Sequence, residues 1–295
     1  MATLSAPTRN ARGIRREARA KINAFLRVHG GREDGYHEIE SLVVPISLAD
    51  RVTVRSSAKL RVAVKGEASL AGDVPVGGLN LALVAALALA DECPEAGGAL
   101  IEIEKRIPVA AGLGGGSADA AATIEALNEL WGCGADAATM TSLCERLGSD
   151  VPAMRAASPV VISGRGERLE AVEVAPLHWV LVRFGFGVRS PDAYLWWDED
   201  GGRTGPDPGP LLAAAAAGDP EVLGPLLFND LEASVVARHP PVGHAKGRLL
   251  RGGALGAVMS GSGSSVVGLA RDRAHAEELA ALVEDATAVT GPPPA

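Results

Sequence analysis

Lys21 and Asp150 are the two side chains whose surroundings least explain them. Lys21 stands alone in Ala20-Lys-Ile-Asn-Ala-Phe-Leu26, an apolar, strand-like run in which a charge must be paired or solvated. Asp150 lies in a short polar break, Leu147-Gly-Ser-Asp-Val-Pro152, ahead of apolar residues. A cation and a carboxylate are what phosphoryl transfer requires: positive charge around the migrating group and an acceptor beside the attacking hydroxyl. Each also has a plainer reading, Lys21 as an edge-strand charge and Asp150 as a helix cap.

The most informative stretch is the run Pro108, Val109, Ala110, Ala111, Gly112, Leu113, Gly114, Gly115, Gly116, Ser117 and Ala118, in which a strand ends, glycines crowd and a helix begins at Ser117. Glycines let backbone N–H groups approach an anion, and a helix start adds unpaired donors and the positive end of the dipole. The P-loop pattern fails because the triplet is Gly116-Ser117-Ala118, and G-x-G-x-x-G fails because Ser117 stands where the last glycine belongs. A reading in which the glycines only permit tight packing stays open.

These residues must be positioned by a mixture of strands and helices. Arg51–Val54, Leu60–Lys65 and Ala99–Lys105 alternate apolar with polar and predict strands of a half-exposed sheet. Helices are expected over Asn80–Glu92, Ser117–Trp131 and Asp136–Leu147, the last two followed by Gly132 and Gly148. Beyond residue 158 the expectations are strands at Val160–Ser163, Trp179–Phe184, Gly256–Met259 and Ser265–Leu269, and helices at Leu211–Ala217, Leu231–Arg238 and Arg273–Asp285. Asp198–Pro210, crowded with Gly, Pro and Asp, reads as a loop. Without regular βαβ spacing, α+β is preferred to a doubly wound sheet.

Composition narrows the function classes. A net charge of −8 offers no drive for nucleic-acid binding. No apolar run is long enough for a membrane span. Three cysteines, Cys93, Cys133 and Cys144, share no C-x-x-C spacing, so neither a disulfide framework nor a zinc site is expected, and a reducing cytoplasmic compartment fits. Arg9, Arg12, Arg15, Arg16 and Arg19 make the first twenty residues basic, and residues 1–18 are expected to be a disordered tail.

In this order the segments resemble the GHMP small-molecule kinases over nearly the whole chain. The resemblance rests on Ala20–Leu26, Gly35-Tyr-His37, Lys105-Arg-Ile-Pro108 through Gly112-Leu-Gly-Gly-Gly-Ser117, Leu147–Pro152, Gly164-Arg-Gly-Glu167, Phe228-Asn-Asp-Leu-Glu232 and Met259-Ser-Gly-Ser-Gly-Ser-Ser265. Arg32-Glu-Asp-Gly-Tyr-His37 and the doubled-glycine form of the turn resemble the branch that acts on a cytidine-diphosphate-linked methylerythritol in non-mevalonate isoprenoid precursor synthesis. The resemblance implies an α+β, two-domain GHMP kinase fold: a ribosomal-protein-S5-domain-2-like, ATP-binding unit over 19–158, then a ferredoxin-like α+β unit over 159–295.

The implied reaction moves the γ-phosphoryl of ATP to the 2-hydroxyl of that alcohol, giving the 2-phosphate and ADP. By the motif match Asp150 is the base and Lys21 its cationic partner, Pro108 to Ala118 wrap the ATP phosphates, and Lys105 and Asn80 lie by the adenosine. Tyr36 and Tyr194 would sandwich the cytosine, His37 would read its edge, and Asn23 would contact substrate beside Lys21. Mg²⁺ is expected on the ATP phosphates, with no protein ligand assigned. The expected state is a monomer or weak homodimer. Two departures, Ala24 and Ala153-Met-Arg155, alter expected pocket walls, and Trp196 and Trp197 read as a hydrophobic patch under the Gly/Pro loop, with a stacking platform beside Tyr194 as the alternative. The alternatives are a mevalonate- or homoserine-type kinase of the same superfamily, or a non-catalytic nucleotide-binding relative. The presence of both Lys21 and Asp150 weighs against the latter.

Overall fold

Two long strands dominate the fold because their apolar runs are longer than one sheet face needs. In the computed structural model, which describes residues 13–66 and 80–293, β1 (Ile14–Gly31) and β2 (His37–Ser56) form an antiparallel hairpin. Its register shifts between Arg19 and Lys21 and again between Asn23 and Phe25, so Lys21–Asn23 is bracketed by irregularities of the kind that re-aim side chains. The seven-stranded first sheet has the order β3 (Arg61–Lys65), β4 (Ala99–Glu104), β2, β1, β8 (Phe228–Asn229), with β5 (Val160–Gly164) on the other half of β2 and β6 (Arg168–Ala171) beyond it. Residues 160–171 therefore belong to the first sheet, past the boundary expected near 158.

Helices α1 (Leu81–Asp91), α2 (Gly115–Trp131), α3 (Ala137–Leu147) and the short α4 (Val151–Ala156) cover this sheet through a core that includes Val52, Ile101, Ile103, Ile124 and Leu127. The second sheet is antiparallel, in the order β11 (Ala286–Gly291), β7 (Leu177–Val182), β10 (Val266–Ala270), β9 (Gly256–Met259). Around it lie α5 (Ser190–Glu199), α6 (Gly209–Ala217), α7 (Pro220–Leu223), α8 (Glu232–Arg238), α9 (Pro240–Arg251) and α10 (Arg273–Ala281). A third apolar cluster, with Phe25, Ile46, Trp179, Val258 and Val267, takes residues from both sheets and fuses them.

Several expectations change. Residues 14–18 of the expected tail are sheet, since Ala18 is buried in the core; residues 1–12 lie outside the described residues. Cys93 and Cys133, expected to be unbridged, form a disulfide with Cα atoms 5.3 Å apart. Each lies two residues beyond the end of its helix, α1 or α2, and these helices end side by side, a meeting that a separation of 40 residues conceals. Cys144 is free and buried, its thiol pushed up to about 11 by burial. Asp198 sits in the last turn of α5 rather than in a loop. No helix among the described residues is long and apolar enough to cross a membrane.

Candidate active site

Lys21 is 4% exposed and still carries its charge into a cleft of about 420 Å³. Its ammonium donates to Asn23 Oδ1 at 2.6 Å and to the Gly112 carbonyl at 2.9 Å, and faces Asp150 Oδ2 at 3.9 Å. Burial pulls the Lys21 pKa down, and Asp150 opposes that pull. Asp150 immediately precedes α4 and makes no side-chain capping bond there, so its carboxylate, with 40% of the side chain exposed, is left for the cleft. Asn23 is held from its other end, donating through Nδ2 to Ser41 Oγ at 2.7 Å.

The glycine turn divides into packed and open positions. A Cβ on Gly112 would lie 2.0 Å from the Ser260 carbonyl oxygen, and one on Gly114 would crowd Met154 and Lys21, so these glycines answer close approach as well as positive φ. Gly116 meets nothing within 4 Å and lines the cleft. Helix α2 starts at Gly115, two residues before the expected Ser117, and Gly114 supplies no side-chain cap. Its first bond runs from Ala118 N–H to the Gly114 carbonyl at 2.9 Å, which leaves the N–H groups of Gly115, Gly116 and Ser117 at the positive helix end. All three residues line the cleft, whereas Ala118 is buried in the core beneath α2.

At the far end, Lys105 lines the cleft, but its ammonium is gripped by Asp50 and by Asp119 Oδ2, the latter at 2.8 Å. Burial alone would lower the Lys105 pKa; the two carboxylates outweigh it and the value rises. Burial, aided by Asp50, pushes the Asp119 carboxyl up to about 7 against the pull of Lys105. Asn80 is the N-cap of α1, accepting from the Ala82 N–H at 3.0 Å, and also lines the cleft.

The aromatic residues are placed differently from the expected sandwich. Tyr194 lines the cleft, and burial, then Asp150, raises its phenol pKa. The ring stacked on it is His37, 4.8 Å away between centroids, not Tyr36. Tyr36 follows the hairpin turn at Arg32–Gly35, is 51% exposed, and lies under the Arg165 guanidinium at 5.3 Å from its centroid. Neither Tyr36 nor His37 is among the cleft-lining residues. Trp196 and Trp197 do not form a common platform: Trp197 is buried with its edge against His37, and Trp196 packs on His239 under Arg238.

The description "GHMP kinases N terminal domain" matches residues 80–157, and "GHMP kinases C terminal" matches 211–286. A 4-diphosphocytidyl-2-C-methyl-D-erythritol kinase of Pelotomaculum thermopropionicum is 42% identical over 267 residues, 90% of this chain and 91% of the relative. This chain belongs to the GHMP kinases. A crystal structure of 4-(cytidine 5'-diphospho)-2C-methyl-D-erythritol kinase superposes with a TM-score of 0.79 at 36% identity, covering 94% of this GHMP kinase and 99% of the other chain. Homoserine kinase from Cytophaga hutchinsonii, at 17% identity and a TM-score of 0.71, covers 99% and 97% and shares the fold.

Several residues that hold the cleft of this GHMP kinase escaped sequence reasoning. Asp50 Oδ1 accepts from the Ile107 N–H at 2.8 Å and fixes the entry to the glycine turn. Asn229 donates to the Met259 and Gly261 carbonyls at 2.8 Å each, Asp230 Oδ2 accepts from Val28 and Gly205 N–H groups at 2.8 and 2.9 Å, and Glu232 Oε2 accepts from Met259 N–H at 2.7 Å. The Phe228-Asn-Asp-Leu-Glu232 segment is thus a set of clamps. Their signal was present as three polar residues interrupting an apolar stretch, and their role needed the distant partners.

Proposed function

We propose that this chain transfers the γ-phosphoryl of ATP to the 2-hydroxyl of 4-diphosphocytidyl-2-C-methyl-D-erythritol, giving the 2-phosphate and ADP in non-mevalonate isoprenoid precursor synthesis. One observation carries the reading: the Lys21 ammonium and the Asp150 carboxylate face one another at 3.9 Å in the same cleft as the uncapped start of α2. The relatives named for this activity at 36–42% identity support the choice of acceptor.

Phosphate oxygens fit the end of α2, where backbone donors converge beside the open face of Gly116. Among the described residues no group of three or more His, Cys, Asp or Glu side chains is gathered to hold a metal ion. A Mg²⁺ would draw its ligands mainly from the phosphates, with Ser117 and Asp150 nearest in kind, and would supply charge neutralisation there. In this reading the acceptor oxygen bonds to the γ-phosphorus, the bond to the β,γ-bridging oxygen breaks, and ADP leaves with that oxygen. The hydroxyl proton passes toward Asp150, while Lys21 offsets charge on the moving group. Asn23 and the Gly112 carbonyl hold the ammonium in place, so the arrangement requires little rearrangement. Asn80 and Lys105 would flank the adenosine, and Tyr36, His37 and Tyr194 the cytidine.

The test is a coupled ADP-release assay with Mg-ATP and three acceptors: the cytidyl-linked methylerythritol, mevalonate and homoserine. Turnover confined to the first is the expected result. Equal or better turnover of either acceptor lacking cytidine would overturn the substrate assignment.

A further inference from the structure

His37 is the first residue of β2, yet its ring is held by three residues of one helix. Tyr194 and Asp198 are one turn apart on α5, so they share a face. The imidazole stacks on Tyr194 with an interplanar angle of 24°, meets Trp197 edge-on at 5.9 Å and 87°, and places Nε2 at 3.0 and 3.1 Å from the two oxygens of Asp198. Stacking fixes the plane of the ring, and the carboxylate fixes which nitrogen lies where. Ionised Asp198 only accepts, so Nε2 must carry the hydrogen; in the neutral ring Nδ1 then keeps its lone pair.

We infer that Asp198 is a specificity-determining positioning residue, which locks His37 in the Nε2–H form so that Nδ1 accepts from the exocyclic amine of cytosine and meets the carbonyl of uracil with no hydrogen to share. The inference rests on the proposed function, in which His37 lies beside the cytidine. An unrestrained imidazole exchanges tautomers readily and would serve either base by moving one proton. With Asp198 in place that exchange sets a nitrogen lone pair against a carboxylate, and the cost becomes discrimination between bases. Asp198 is half-exposed, with 49% of its side chain accessible, so water weakens the lock and the expected effect is moderate.

The experiment compares the full-length protein with Asp198→Asn and Asp198→Ala, using the cytidyl-linked methylerythritol and its uridyl counterpart, together with ¹⁵N NMR of the His37 ring. The wild type should show Nε2–H and prefer the cytidyl substrate. In Asp198→Asn the carboxamide can donate to Nε2, so the tautomer should move toward Nδ1–H. The ratio of kcat/KM values for the two substrates should fall by about tenfold or more, the loss on the cytidyl side falling on KM rather than kcat. Asp198→Ala should lie between them. An unchanged tautomer in Asp198→Asn, or an unchanged ratio despite a changed tautomer, overturns the inference. If the wild type phosphorylates neither substrate, the functional reading has failed, and binding of CMP against UMP by the same three proteins decides the inference by the same ratio.

Discussion

At the level of single residues, the cleft is built on charges kept where burial works against them. Lys21 tolerates its site because Asn23, the Gly112 carbonyl and Asp150 surround the ammonium. Replacing Asp150 with Asn keeps the shape and removes the acceptor. The expected outcome is a fall in kcat of about 10²–10⁴-fold with ATP affinity nearly intact, read by steady-state kinetics and nucleotide titration. A wild-type kcat in that variant would remove Asp150 from the chemistry. Asp119 tests the other end. Its carboxyl is raised from an unfolded value near 4 to about 7, so the folded chain holds this proton more tightly than the unfolded one. The stability it contributes is present in full below the unfolded value and is lost as pH rises through the folded one. Asp119→Asn should therefore gain on the wild type in urea denaturation as pH rises from about 4 to about 7, and a difference constant with pH would refute the assignment. Lys21 and Asp150 were legible because each is a lone charge in an apolar or glycine-marked context. Asp50 and Asp119 were not: an Asp beside an alternating strand and one near the start of a helix both look solvated until Lys105 is seen between them.

Among the elements, regular patterns were read well and context-dependent ones poorly. The helices at 81–91, 115–131 and 137–147 and the strand at 99–104 follow from spacing and caps, with α3 capped by Asp136 accepting from Thr139 N–H at 2.8 Å. Helix α9 escaped because it opens with Pro240-Pro241 and contains Gly243 and Gly247, whose weak propensity is overridden by burial of Val242, Ala245 and Leu249. Helix α5 escaped beside a Gly/Pro-rich segment, and with it the partnership of Tyr194, Trp197 and Asp198. The Cys93–Cys133 bridge is the largest element-scale correction, and it closes a loop of 40 residues that holds β4 and α2 and ties the end of α2 to the end of α1. Loop-closure entropy for that length corresponds to about 4 kcal/mol. Adding a reductant that opens the bridge, or substituting Cys93→Ser, should lower the unfolding free energy by about 3–4 kcal/mol in urea titrations. Identical midpoints with and without reductant, with alkylation confirming two freed thiols, would show that the bridge contributes nothing to stability.

For the molecule as a whole, composition and motif order were enough for the α+β class and the kinase family, but not for the way the halves join. The first sheet runs on to residue 171 and takes β8 from residues 228–229, while the core around Phe25, Ile46 and Trp179 draws on both sheets. A division of the chain near residue 158 follows the change in composition, whereas the hydrogen bonds ignore it. The glycine turn shows the same interleaving: Gly112 closes on Ser260, Ser260 Oγ donates to the Gly112 carbonyl at 3.0 Å, and Ser265 N–H donates to the Ala111 carbonyl at 3.2 Å. A nascent polypeptide still hidden in the ribosome beyond Met259 has made every glycine of the turn but not the wall against which the turn is shaped. On the proposed reading, a product terminated before Ser260 carries the whole glycine turn and still lacks one wall of the place where phosphates would sit.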